Sequence, residues 1–299
     1  MYNHLQLIRE GRENKPRQLS KMGETYKMNE KTFSKDAITV LKETSRTFYI
    51  PITFLQKELK HTVASAYLVF RAIDEIEDHE ELDNDEKYRI LMQISDLLKQ
   101  PFNYEKYVQI LGSTIDRMPE VTLRLEEWLQ ACPKDTLPIV MNAAQEMAFG
   151  MAKWAKANWQ IRTREDLDEY TYYVAGLVGV MLSKLWEFCA GVKTDSELAI
   201  GYGRGLQAVN ILRNEKEDLV ERGVSFVPDG WTRKELFDYA DENLAKADEY
   251  MKSLNKRSIL LFCRLPLALA HKTLAALKEG REKITRAEVE QTVEEVQVR

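Results

Sequence analysis

Glycine and proline are scarce, 13 and 8 in 299 residues. A sandwich or barrel of many short strands needs more tight turns than that, which excludes one. Cysteine is scarcer still. Cys132, Cys189 and Cys263 are odd in number and far apart, which argues against a disulfide framework and fits a reducing cytoplasm. Four histidines and no Cys-x-x-Cys pair leave little for a structural zinc site. Positive charge is not in excess: 43 Lys and Arg against 48 Asp and Glu give a net charge of −5, so nucleic acid is not an expected partner. No long apolar run stands out. The most apolar stretch, residues 172–182, is followed by Ser183 and Lys184, whereas a membrane span needs about 20 apolar residues. The first residues lack the apolar centre of a signal peptide. The expectation is a soluble, cytoplasmic protein that at most touches the inner face of the cell membrane.

What is present is helical. Residues 1–32 are polar with little apolar periodicity and read as a loose arm, with Met28 as an alternative start. From residue 33 to residue 299 a single domain is expected. Ser34 and its neighbours offer a cap to a first helix that Pro51 should end. Leu59, Val63, Ala66, Tyr67, Phe70 and Ile73 form a 3–4 stripe over residues 58–77. Further helices are expected over 83–99, 119–131, 138–156, 163–189, 197–222, 232–254, 260–277 and 285–298. Thr163 with Asp166, and Thr285 with Glu288, have the spacing of capping boxes. No strand alternation, internal repeat or flexible linker is visible, so the fold class is all-α.

Two polar stripes interrupt apolar helices. Asp74 and Asp78 are four apart with Glu77 beside them, so the three acids share a helix face. Like charges at that spacing repel, and a hard divalent cation such as Mg²⁺ would compensate. A solvated acidic helix end is the plainer reading. The second stripe repeats the layout: Asn210, Asn214 and Asp218 form an i, i+4, i+8 ladder, with Gln207 and Glu217 nearby and Leu206, Val209, Ile211 and Leu212 around it. Polar groups on a buried helix must be satisfied. An arginine, Arg71 or Arg213, accompanies each stripe and suits phosphate. The plain alternative is intrahelical pairing, Arg71 with Asp74 and Arg213 with Glu217. Two such ladders together favour a metal-bridged diphosphate site. In a third stretch, Gly176 and Gly179 lie three apart in a helix, where each costs about 1 kcal/mol relative to Ala. They bring the backbone close either to another helix or to an apolar ligand.

Five segments in order, Ser45-Arg46-Thr47-Phe48, residues 67–78, residues 170–179, residues 206–213 and residues 262–266, make the chain resemble the squalene and phytoene synthase family, nearer its squalene-forming branch, over roughly residues 41–275. The resemblance implies an isoprenoid synthase-like helical bundle around a deep central pocket. It also implies a Mg²⁺-dependent head-to-head condensation of two farnesyl diphosphates to presqualene diphosphate, followed by NADPH-dependent reduction to squalene. On that basis Asp74, Glu77, Asp78, Asn210, Asn214 and Asp218 are the expected metal ligands. Ser45, Arg46, Arg71, Gln207 and Arg213 would hold diphosphate. Phe48, Tyr67, Val174, Val178, Leu182, Tyr250, Phe262 and Pro266 would line the prenyl pocket. Tyr170 falls at the position implicated in the first half-reaction, so the catalytic set is Tyr170, Asp74, Asp78 and Asp218. Lys283 and Arg286 lie where the family places basic residues near the reductant.

Two departures stand against the family pattern. Asn214 occupies a position that is usually Asp, which removes one carboxylate and raises the alternative of an enzyme stopping at presqualene diphosphate, dehydrosqualene or a prenyl alcohol. The chain also stops at Arg299 without the C-terminal anchor of eukaryotic squalene synthases, which suggests a soluble form that releases its product through peripheral membrane contact. No protein partner is expected. A catalytically inactive prenyl-lipid binder is a third reading, against which the intact acids count. A di-iron bundle needs two Glu-x-x-His pairs, and no His lies three residues after a Glu in either ladder; no terpene cyclase metal ladder is found.

Overall fold

A computed structural model describes residues 34–221 and 223–298. The polar arm expected over residues 1–32, Met28 included, lies outside the described residues. Among the described residues there are helices and no strands.

The chain opens with α1 (Lys35–Thr44) and α2 (Arg46–Phe54). Ser34 caps α1, its hydroxyl accepting the Ala37 N–H at 3.0 Å. Ser45 closes α1 and caps α2, accepting the Phe48 N–H at 3.1 Å. The helical stretch was expected to end at Pro51. Instead α2 runs through Pro51 to Phe54. Proline removes one N–H but leaves the turn after it intact, and the Thr53 hydroxyl donates to the Ile50 carbonyl at 2.6 Å.

The long α3 (Lys57–Glu77) is buried on nearly every side. Next comes α4 (Asn84–Leu98), capped by an Asp83–Glu86 box. The short α5 (Tyr104–Leu111), followed by a 3₁₀ turn over Gly112–Arg117, had no counterpart in the sequence reading. Asn103 caps α5, and its two buried residues, Tyr107 and Leu111, are too few to show a stripe. The helix expected over 119–131 is split into α6 (Glu120–Leu123) and α7 (Leu125–Ala131), because Arg124 leaves the helical region at φ −99°, ψ 20°. Its guanidinium is held by Glu120, Glu127 and Asp36. After α8 (Leu137–Lys156), the helix expected over 163–189 is present as Arg164–Ala190, with a π-turn over Tyr172–Gly176 dividing it into α9 (Arg164–Thr171) and α10 (Leu177–Ala190). A π-turn marks an extra residue in a helix and recurs at functional sites. The rest is α11 (Ser196–Glu221), α12 (Arg233–Lys252), α13 (Arg257–Lys278) and α14 (Arg286–Val298).

One continuous core joins most of these helices, with Trp128, Trp186, Tyr107 and Tyr239 fully enclosed, and Leu265 and Leu269 of α13 form a second, smaller cluster with Val296 of α14. Packing gives the two helices of interest a shared neighbour: α10 contacts both α3 and α11. α11 also packs along α12, and α8 lies against α3, α4 and α10. The glycines explain the α10–α11 contact. A Cβ on Gly179 would stand 2.1 Å from the Ala199 carbonyl oxygen, and one on Gly203 would stand 2.2 Å from that of Ala175. Gly176 faces Ile200 at 3.1 Å by the same measure. These glycines therefore serve close helix-to-helix approach, one of the two alternatives their spacing left open. The hydropathy expectation also needs correcting. The helical ranges Arg164–Ala190 and Arg257–Lys278 each contain an 18-residue stretch apolar enough to cross a bilayer, with mean hydropathy 1.3 and 1.4. About half of each such stretch, 50% and 56%, is buried against the rest of the protein, as befits core helices.

Candidate active site

The first stripe closes α3. Asp74, Glu77 and Asp78 offer one carboxylate oxygen each, all within 4.8 Å of one another. Asp74 and Glu77 are buried, 8% and 4% exposed. Three acids on the C-terminal turns of a helix oppose its dipole, and no basic residue occupies that last turn. Burial and then the neighbouring Asp78 carboxylate push the Asp74 carboxyl up to about 6, although Arg71 opposes them. Arg71 is itself buried. Its Nη1 donates to Asp74 Oδ2 at 2.7 Å, and its Nε and Nη2 donate to Glu75. Burial alone would lower the Arg71 pKa, but Asp74 and Glu75 outweigh it and raise the value. The plain expectation for this helix, an intrahelical Arg71–Asp74 pair, is thus present. Glu75 is a second partner that the spacing argument did not name. One guanidinium among three clustered acids, with Glu75 claiming part of it, leaves a donor set of hard oxygens that suits a divalent cation.

The second stripe runs down α11. Gln207, Asn214 and Asp218 are buried at 5%, 8% and 8% exposure, and Asn210 is half-buried. The Gln207 Oε1 atom is buried without a hydrogen-bond partner. An unmet buried acceptor points to a missing donor or cation at that level of the helix. A diphosphate oxygen, itself an acceptor, would be matched only by the amide nitrogen. Arg213 is half-buried, and burial lowers its pKa against the pull of Glu217. Glu217 is exposed, while Glu215 pairs with Arg233 at 2.6 Å.

Ser45 is buried and spends its oxygen on the α2 cap. Arg46 opens α2, and its side chain lies outside the described atoms. Phe48 stacks on Tyr67 with ring centroids 6.4 Å apart, and the Tyr67 hydroxyl donates to the Thr44 carbonyl at 2.7 Å. Burial pushes that phenol up to about 12. Val174, Leu182, Tyr250 and Phe262 are buried in the continuous core, with Val178 packed against it. Tyr250 shares a hydrogen bond with Ser183 at 2.9 Å, and Phe262 meets Trp186 edge-on at 5.6 Å. Pro266 lies inside α13. Near it, the Cys263 carbonyl accepts the Tyr202 hydroxyl at 2.7 Å. Lys283 and Arg286 are exposed beside and on α14, and Arg286 donates to Glu290 at 2.8 Å.

Tyr170 lies two residues before the π-turn and is 6% exposed. Its ring lies against Phe226 at 4.7 Å and 19°, and edge-on to Trp154 at 5.9 Å. Neither partner was singled out from sequence. Phe226 lies in a segment without helical period, where no spacing argument reaches it. The next residue of the turn, Tyr172, donates to Glu146 on α8 at 2.8 Å.

The architecture, two polar ladders on buried helices of an all-α bundle, is the isoprenoid synthase fold. Residues 41–238 match the squalene/phytoene synthase family, and the chain belongs to it. It is 28% identical over 262 residues to the squalene synthase of Bos taurus, which covers 79% of this chain and 61% of the relative. It is 32% identical over 271 residues to squalene synthase 1 of Arabidopsis thaliana, covering 79% of this chain and 63% of the relative. The chain thus spans about three-fifths of the length of these relatives. Among solved structures, a complex of TcSQS with a ligand superposes with a TM-score of 0.73 at 23% identity, covering 88% of this chain and 85% of that one. A dehydrosqualene synthase in complex with ligand gives 0.55 at 22% identity, covering 88% and 94%. Both likenesses concern the fold.

Proposed function

We propose that the protein is a prenyltransferase that joins two farnesyl diphosphates head to head, forms presqualene diphosphate, and reduces it to squalene with NADPH. The observation that carries this reading is the burial of two oxygen-rich ladders, Asp74–Glu77–Asp78 and Asn210–Asn214–Asp218, on helices that share α10 as a neighbour. Membership of the family supports it.

Diphosphate leaves poorly unless its growing charge is met. Mg²⁺, when bound, supplies that neutralisation. Asp74, Glu77, Asp78, Asn210, Asn214 and Asp218 are the residues that would hold it, and their hard oxygens fit. Arg213 and Arg46 add guanidinium donors for the leaving group, and Arg71, which pairs with Asp74 and Glu75, would add a third at the same end. Ser45 and Gln207 complete the polar end with a hydroxyl and an amide. The apolar wall of Phe48, Tyr67, Val174, Val178, Leu182, Tyr250, Phe262 and Pro266 keeps water from the allylic cation. Tyr170 faces that cation with its ring and takes or relays a proton at Oη. NADPH supplies the hydride that ends the sequence. Lys283 and Arg286 offer exposed cationic donors of the kind a nucleotide phosphate takes. Residues 33–299 act as the catalytic domain and residues 1–32 as an arm. The protein works in the cytoplasm, against the inner face of the membrane that receives its product.

Asn214 favours a second reading. With one carboxylate fewer at the second ladder, the chemistry stops at presqualene diphosphate, dehydrosqualene or a prenyl alcohol. Incubating the protein with farnesyl diphosphate and Mg²⁺, with and without NADPH, and analysing the extract by mass spectrometry separates the two. Squalene formed only with NADPH supports the full sequence. The same non-squalene product in both tubes moves the function to the second reading, and unreacted substrate in both overturns them together.

A further inference from the structure

We infer that Phe226 is a positioning residue for Tyr170, and that the segment carrying it links the metal end of α11 to that tyrosine. The inference rests on the reading of Tyr170 as a participant in the first half-reaction.

Phe226 lies on the stretch between α11 and α12 and is 4% exposed. Its ring is nearly parallel to that of Tyr170, 19° apart in plane with centroids at 4.7 Å. Trp154 closes a second side of the tyrosine at 85° and 5.9 Å. A phenol boxed by one stacked and one edge-on ring has little freedom about its χ angles. The stretch is pinned at both ends. The Val224 N–H donates to the Asp218 carbonyl at 3.3 Å, and the Asp229 N–H donates to the Arg162 carbonyl at 3.0 Å. One anchor is thus a residue of the α11 ladder, and the other lies just before the cap of α9, the helix that carries Tyr170. Gly223, Val224, Ser225 and Val227 of the same stretch also line an open, polar cavity of about 780 Å³, so on that side the stretch meets solvent while its two anchors tie it to Asp218 and Arg162. A shift at the ladder is thereby transmitted to the ring that faces Tyr170.

Such a role differs from core packing in what it predicts. Replacing a positioning residue should lower kcat and leave KM within about twofold, since a misplacement of about 1 Å can cost up to about a hundredfold in rate. Phe226→Leu is expected to slow presqualene diphosphate formation by about ten- to a hundredfold, and Phe226→Tyr to keep most of it. In a Tyr170→Phe background, Phe226→Leu should add little, because both changes disable one unit. Independent losses that multiply would overturn the inference. A second measurement does not need turnover. In protein carrying 3-fluorotyrosine, the ¹⁹F resonance that vanishes in Tyr170→Phe should shift on addition of Mg²⁺ with inorganic diphosphate, and should not shift in Phe226→Leu. An unchanged resonance in the parent protein, or an equal shift in the variant, overturns the link. An inactive parent whose resonance still shifts would instead refute the functional reading and leave the link standing.

Discussion

Arg71 and Asp74 are paired at 2.7 Å within one buried turn of α3, with Glu75 holding the rest of the same guanidinium. The arginine that would meet a diphosphate is therefore engaged by acids that would meet a metal. The account needs these two functions to exchange partners, and it makes the pair costly to break. Arg71→Gln leaves a buried carboxylate uncompensated and should destabilise the protein by about 3 kcal/mol. Arg71→Lys should cost less in stability while losing the planar fork. Chemical denaturation of both variants checks this, and equal stabilities would contradict it.

Asn214→Asp restores a carboxylate to a buried ladder. Without metal, the added charge next to Asp218 should lower the midpoint of thermal unfolding. With Mg²⁺ and a farnesyl diphosphate analogue, the half-saturating Mg²⁺ concentration should fall roughly tenfold, as ligand charge sets affinity for hard cations. A calorimetric titration that finds no change would show that position 214 does not face the metal.

Gly179 and Gly203 seat α11 against its neighbours. Each would press a Cβ to within about 2 Å of a carbonyl oxygen on the facing helix, that of Ala199 or Ala175. Gly179→Ala should therefore cost at least about 1–3 kcal/mol, the usual range for overpacking. Were Gly179 instead the floor of a ligand groove, its alanine variant would unfold normally and bind prenyl chains poorly.

At the start of α14, the Glu288 carboxylate accepts the Thr285 N–H at 2.7 Å and the Thr285 hydroxyl at 2.8 Å, and pairs with Arg281 at 3.0 Å. These bonds, the backbone one foremost, hold its carboxyl down at about 2. A depressed acid stabilises above its ordinary carboxylate range and loses that contribution as the pH falls through that range toward 2. Fraying of the first turn of α14 should then increase below about pH 4. Hydrogen-exchange protection in that turn, taken relative to the intrinsic amide rate at each pH, should fall with pH in the parent protein and stay level in Glu288→Gln.

Lys283 and Arg286 are exposed and away from the core, so replacing both by alanine should leave stability within about 0.5 kcal/mol. Squalene formation should drop while presqualene diphosphate accumulates. Loss of both products together would place these residues elsewhere in the chemistry.

The helices were legible because their stripes and caps are local. Ser34, Thr163 and Thr285 all cap the helices whose starts they mark. The two ladders were legible for the same reason, since i, i+4 spacing alone puts Asp74 with Asp78 and Asn214 with Asp218. What was hidden depends on contacts across the chain. The π-turn at Tyr172–Gly176 inside the 163–189 helix leaves no mark in hydropathy. Pro51 reads as a terminator, yet tertiary packing carries α2 past it. Phe226 reaches Tyr170 from a turn 56 residues away in sequence, with no period to announce it. The glycines could be read either as a groove or as a helix contact, and only the position of the Ala199 carbonyl decides between them.

The central claim is that the two ladders act together on a diphosphate leaving group. Its most direct test is the rate of diphosphate release from farnesyl diphosphate with Mg²⁺ and no reductant, in the parent protein and in Asp74→Asn and Asp218→Asn. The account predicts release by the parent and a loss of about a hundredfold or more in each variant. Release that continues at the parental rate in either variant, or no release by the parent, would contradict it.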